Sequence, residues 1–69
     1  MTIDTTIIDV NRLRNSNNGN PRWRLLTEHG EYTTQSDAMC AHMGIERLVG
    51  KRVRLDTTPS GLVYGITEL

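Results

Sequence analysis

At 69 residues the chain has room for one small domain, residues 1–69, whose core must be assembled from seven Leu, five Ile, four Val, three Met, two Tyr and a single Trp, with no Phe. Eight Lys and Arg balance eight Asp and Glu, and zero net charge argues against a dedicated nucleic-acid binder, whose footprint is usually an overall basic domain. One cysteine excludes an intrachain disulfide and suits a reducing cytosolic location. The start MTIDTTIIDV has no basic n-region of a signal peptide, and no apolar run approaches the roughly 18–20 residues of a membrane span, so a cytoplasmic protein is expected.

Thr5–Arg14 is rich in β-branched residues, holds no Gly or Pro, and reads as a first strand. Its alternation is imperfect: Ile8 and Val10 fall on one face, Ile7 and Leu13 on the other. Either both faces are partly covered or a bulge shifts the register. Asn15–Pro21 is the strongest turn signal, and Asn18–Gly19 suits a tight type I′ reversal. Arg22–Thr27 is the second strand, with Trp23 and Leu25 on one face and Arg22, Arg24 and Leu26 on the other. The burial of Trp23, the largest apolar side chain in the chain, follows from that alternation.

Glu28–Glu31 is a short turn and Tyr32–Thr34 a third strand. Thr34 or Ser36 offers an N-cap for a short helix over Asp37–Met43, with Asp37 in its first turn and Gly44 beyond its end. Ile45–Gly50 reads as a loop with one helical turn. Lys51–Thr57 alternates cleanly, with Val53 and Leu55 opposite Arg52, Arg54 and Asp56. Thr58–Gly61 is a turn, and Leu62–Leu69 a last strand with Leu62, Tyr64 and Ile66 on one face. Gly65 marks a place where another backbone or side chain approaches closely. The order β-β-β-α-β-β in so short a chain predicts a mainly β (α+β) domain. The expected form is a small five-stranded antiparallel bent sheet or barrel, SH3-like or OB-like, with one short helix. A split sheet with the helix on one face is the competitor.

Three arginine pairs stand at i,i+2 spacing on these strands: Arg12/Arg14, Arg22/Arg24 and Arg52/Arg54. Each pair shares one face of its strand, so neighbouring strands would gather six guanidinium groups into a stripe for phosphate or partner contacts. The bland alternative is a solvated face whose arginines pair with acids on adjacent strands. Asn15, Asn17, Asn18 and Asn20 form a candidate recognition loop leading into Pro21-Arg22-Trp23; the alternative is a loop shaped only for turn geometry. Cys40, His42 and His29 lack the spacing of a metal site or a Cys–His nucleophile pair. No phosphate-binding or metalloprotease motif occurs, and the carboxylates are scattered singly.

The pattern Asn15-Ser16, Asn18-Gly19-Asn20-Pro21-Arg22, Gly30, Thr34, Ser36-Asp37-Ala38, Gly50-x-x-Val53 and Gly61-x-Val63 resembles small uncharacterised proteins of actinobacteria and their phages. The Asn-Gly-Asn-Pro-Arg element is its most distinctive part. The resemblance implies a stand-alone, phage-encoded accessory protein acting in the host cytoplasm, and brings no cofactor or site residue with it. The reading that results is a non-enzymatic protein acting by protein–protein interaction, either with a host factor or with itself as a homodimer. Weak nucleic-acid binding through the arginine stripe is the alternative. Neither a cofactor nor a membrane is expected.

Overall fold

The computed structural model describes residues 1–69. Its organising element is β1 (Thr2–Leu13), which is twelve residues long and serves two neighbours. Thr2–Thr6 pairs with β4 (Arg52–Thr57), and Ile7–Leu13 pairs with β2 (Arg22–Thr27). The register shifts between Ile7 and Asp9. This bulge explains the broken alternation: Thr5 and Ile7 are buried before it, Val10 is half-buried after it, and Ile8 is left 52% exposed.

β2 and β3 (Gly30–Thr34) form a hairpin in which Thr27 pairs with Gly30. The Thr27 hydroxyl accepts from the His29 N–H at 3.1 Å and donates to the Gly30 carbonyl at 2.8 Å, which ties the turn from inside. The β1–β2 connection is not a type I′ turn, because neither Asn17 nor Asn18 has a positive φ. The Gly19 N–H instead donates to the Ser16 carbonyl, Gly19 takes φ +80°, and the Ser16 N–H donates to Asn20 O. That is a type I turn followed by a left-handed glycine.

β5 (Leu62–Glu68) runs antiparallel to β4 but parallel to β3, through Thr33↔Leu62 and Thr34↔Val63. The sheet is therefore not wholly antiparallel. Five strands close in the order β1-β2-β3-β5-β4, with β4 returning to β1. A parallel neighbour requires a crossover, and here the chain leaves β3 and adds β4 at the far side before β5 returns. This order, with the helical connection between β3 and β4, is that of an OB-type Greek-key barrel.

The expected α-helix over Asp37–Met43 is replaced by two 3₁₀ turns, Met39–His42 and Ile45–Leu48. Gly44, at φ +70°, separates them. One of the two cap candidates, Thr34, and the first-turn residue Asp37 are otherwise engaged. Thr34 Oγ1 accepts the Trp23 N–H at 2.9 Å, and Asp37 accepts side-chain amides from the β1–β2 loop. Four-residue segments without a cap stay at the tighter 3₁₀ geometry.

The core is Ile7, Trp23, Leu25, Ala38, Cys40, Ala41, Ile45, Val53, Leu55 and Val63. Trp23 is 8% exposed, as its alternation with Arg22 and Arg24 predicts. Four threonines, Thr5, Thr27, Thr34 and Thr57, are buried with it, and each hydroxyl has a hydrogen-bond partner. β5 differs from its sequence reading. The register shifts between Asp56 and Thr57, which pair with Gly65 and Val63, so Tyr64 is extruded to 48% exposure. Leu62, Tyr64 and Ile66 therefore do not share a face: Val63 is buried and Ile66 packs against the core. The close approach at Gly65 is made by Asp56, whose Oδ2 lies 2.6 Å from where a Cβ would stand.

Candidate functional site on the outer face of strand β2

The barrel separates the arginine pairs. β1 lies between β2 and β4, so Arg22/Arg24 and Arg52/Arg54 are not on adjacent strands. Arg12 opposes Trp23 across the β1–β2 ladder and so belongs to the inward side. It sits at the barrel rim with its guanidinium over the indole, 5.7 Å from the ring centroid. Its N–H groups donate to the carbonyls of Leu13 and Arg22 and to Asn15 Oδ1. Arg14 lies just past the end of β1, exposed.

On β4, Arg54 opposes Asp4 and holds it in a two-pronged pair at 2.8 and 3.2 Å. Its hydrogen bond holds the Asp4 carboxyl below the usual carboxylate range, and Asp4 in turn raises the Arg54 pKa. Arg52 stands 3.9 Å from Glu28. These are the only two ion pairs in the molecule. Two of the six arginines thus match the bland reading of a solvated, internally paired face.

On β2 the situation differs. The outward rows across β1, β2 and β3 read Leu13–Arg22, then Asn11–Arg24–Thr33, then Asp9–Leu26–Glu31. Arg24 is exposed and meets only neutral side chains in its row. Arg22 is half-buried, with its Nε shielded from solvent and unpartnered. Leu26 is 39% exposed between Asp9 and Glu31, next to the extruded Ile8. The Asp9 carboxylate accepts the Val10 N–H at 2.9 Å, which helps hold the bulge, while Glu31 is exposed without an ion pair. The face is basic towards the β1–β2 loop, and its row nearest the β2–β3 turn sets Leu26 between two carboxylates. Sequence reading put Leu26 beside Arg22 and Arg24. It missed Asp9, Glu31 and Ile8, because the residues opposite Leu26 depend on a bulge and a register that no local signal sets.

The asparagine loop is tied inward. Asn18 and Asn20 both donate to Asp37 Oδ1, at 3.2 and 3.3 Å, and the His42 ring Nε2 lies 3.3 Å from Asn20 Oδ1. Asn15 receives Arg12. Of the four asparagines, Asn17 alone has its side chain outside these bonds. The loop is built more for docking onto the 3₁₀ segment than for display.

His29 hydrogen-bonds Thr5 Oγ1 at 2.8 Å, and Cys40 is buried, with desolvation pushing its thiol pKa up. Cys40, Met43, Arg47, Leu48, Ile66 and Glu68 line a cavity of about 90 Å³ at one end of the barrel, well below the volume of a small-molecule site. No three His, Cys, Asp or Glu side chains converge as metal ligands. No helix is long and apolar enough to cross a membrane. No family model, no curated protein and no solved structure matches this chain.

Proposed function

We propose that this protein is a non-enzymatic binding module that acts by protein–protein interaction through the outer face of β2. The observation that carries the reading is the row Asp9–Leu26–Glu31 beside Arg24: an uncovered apolar centre with unpaired charges of both signs on its rim. Protein interfaces share that anatomy, an apolar core within a polar rim. A polyphosphate partner would meet repulsion from Asp9 and Glu31, and Trp23, the best stacking residue, is committed to the core beneath Arg12. An accessory role in a phage-infected host cytoplasm fits the resemblance of the Asn-Gly-Asn-Pro-Arg element.

The nucleic-acid reading keeps one specific support: Arg14, Arg22 and Arg24 have no carboxylate partner, and they lie on or next to β2 of an OB-type barrel, an architecture whose β2–β3 face commonly takes oligonucleotides. Capture from host lysate, with and without nuclease, separates the two. Protein capture that survives nuclease and is lost in Leu26→Asp supports the interaction reading. Retention that depends on nucleic acid and falls steeply with salt, in proportion to the phosphates neutralised, places the alternative first.

A further inference from the structure

We infer that the partner of the β2 face is a second copy of this chain, stacked face to face about a two-fold axis that runs across the strands. This rests on the reading of that face as a protein-binding surface. The face is its own electrostatic complement. Arg22 and Arg24 supply two positive charges and Asp9 and Glu31 two negative ones, around Leu26 and Ile8. Arg24 and Glu31 are exposed, occupy adjacent outward rows on paired strands, and form no ion pair within the molecule.

Outward rows on a strand are roughly 6.6–6.8 Å apart. Two copies of β2 stacked antiparallel, with the axis midway between the rows of Arg24 and Leu26, set each Arg24 over the partner's Asp9–Leu26–Glu31 row. Each guanidinium then lies between two carboxylates of the partner subunit, and its aliphatic stem covers the partner's leucine. Symmetry makes every contact twice, as a self-complementary two-fold interface requires. A two-fold axis along the strands would instead stack Arg24 on its own copy, like charge on like, so only the antiparallel arrangement satisfies the pattern.

Size points the same way. The isolated chain exposes 4298 Å² and buries 14 of its 69 residues. A standard interface takes about 800 Å² from each partner, about a fifth of this surface, and small domains commonly add buried area by association. The bulge in β1 sets Ile8 and Asp9 at this face without opening a strand edge. The barrel is closed, so association by strand addition, which an exposed edge would have allowed, is replaced by association through a face.

Sedimentation velocity from low micromolar to several hundred micromolar protein tests the inference. The wild type is expected to pass from monomer to dimer over that range, more weakly as salt rises. Arg24→Glu and Glu31→Arg should each weaken the dimer at least about tenfold with unchanged thermal melts. Mixing the two variants should recover part of the association, because the mixed pair regains both attractive contacts between positions 24 and 31, which neither variant homodimer has, while one reversed residue 24 still faces Asp9 of the partner subunit. Leu26→Asp, at the centre, should be monomeric and is a second variant should either charge reversal unfold. A wild type that stays monomeric throughout, or a mixture that fails to associate, overturns the inference. If the wild type is monomeric yet nuclease-resistant capture from lysate is lost in Leu26→Asp, the protein-binding reading stands and the homodimer falls. If neither association nor capture responds to these substitutions, both fall.

Discussion

Strands β2 and β4 carry the same short pattern, Arg-Trp-Arg at 22–24 and Arg-Val-Arg at 52–54, and the barrel treats them differently. In both, the middle residue is buried and the arginines flank it on the outer side. On β4 each arginine finds a carboxylate, Asp4 across the ladder and Glu28 from the β2–β3 turn. On β2 the row through Arg24 offers Asn11 and Thr33 instead. An identical local arrangement is thus an internally neutralised surface on one strand and an unpaired one on the other. For Arg54 and Arg24 what decides is the residue that β1 presents opposite, Asp4 in its first half and Asn11 in its second, whereas Arg52 stands opposite Thr6 and takes its carboxylate from the β2–β3 turn.

The largest effects lie under the two arginine pairs. Trp23→Ala should cost about 3–5 kcal/mol in urea unfolding, and Val53→Ala about 2 kcal/mol, from fewer buried groups and a smaller cavity. Equal losses would show that the indole is not the anchor of the β2 side. Next come the arginines themselves. Arg24→Gln should leave the melting temperature unchanged and weaken self-association, whereas Arg54→Gln should lower the melting temperature slightly at low salt, lose that effect in concentrated salt, and leave association intact. If the two variants behave alike, the distinction between the strands is wrong.

A smaller effect separates the pairs by pH. The Asp4 carboxyl is held below its ordinary range by the hydrogen bond from Arg54, so the folded state binds its proton less readily than the unfolded chain. The resulting stabilisation is present above the ordinary carboxylate pKa and is lost as pH falls through the lowered folded value. Acid titration of Asp4→Asn should therefore show a shallower loss of stability below about pH 4 than the wild type shows. Cys40, on the first 3₁₀ turn, supplies a second titrating group. Burial raises its pKa, so the unfolded thiol ionises first and stability declines as pH rises from about 8.5 towards the folded value. Thiol labelling in native buffer should be far slower than in denaturant. Labelling at the free-thiol rate would place Cys40 outside the core.

Much of the molecule follows from neighbours in sequence. Alternation assigned the inward faces of β2 and β4, buried Trp23, and set Leu26 on the outer side with Arg22 and Arg24. Turn residues located every reversal, and Gly65 marked the close approach that Asp56 makes. These readings hold because strand periodicity, glycine conformation and side-chain size act within a few residues. The helix over Asp37–Met43 was also read from local preference and did not form: Thr34, one of its two cap candidates, spends its hydroxyl on β2, and the first-turn carboxylate of Asp37 is held by the β1–β2 loop.

The tertiary structure decided everything that depends on which strands meet and in what register. The bulge between Ile7 and Asp9 turns Val10 towards the core, leaves Ile8 outside and places Asp9 beside Leu26. The shift opposite Asp56 and Thr57 extrudes Tyr64, and the parallel contact of β3 with β5 closes the barrel. A one-residue slip in either ladder would reassign every cross-strand partner beyond it, so the six arginines could be counted from the chain while their partners could not. By itself the sequence determined the alternating strands and where they turn; closure of the barrel determined that Arg52 and Arg54 face carboxylates and Arg24 does not, because pairing across strands is set by contacts between residues far apart in the chain.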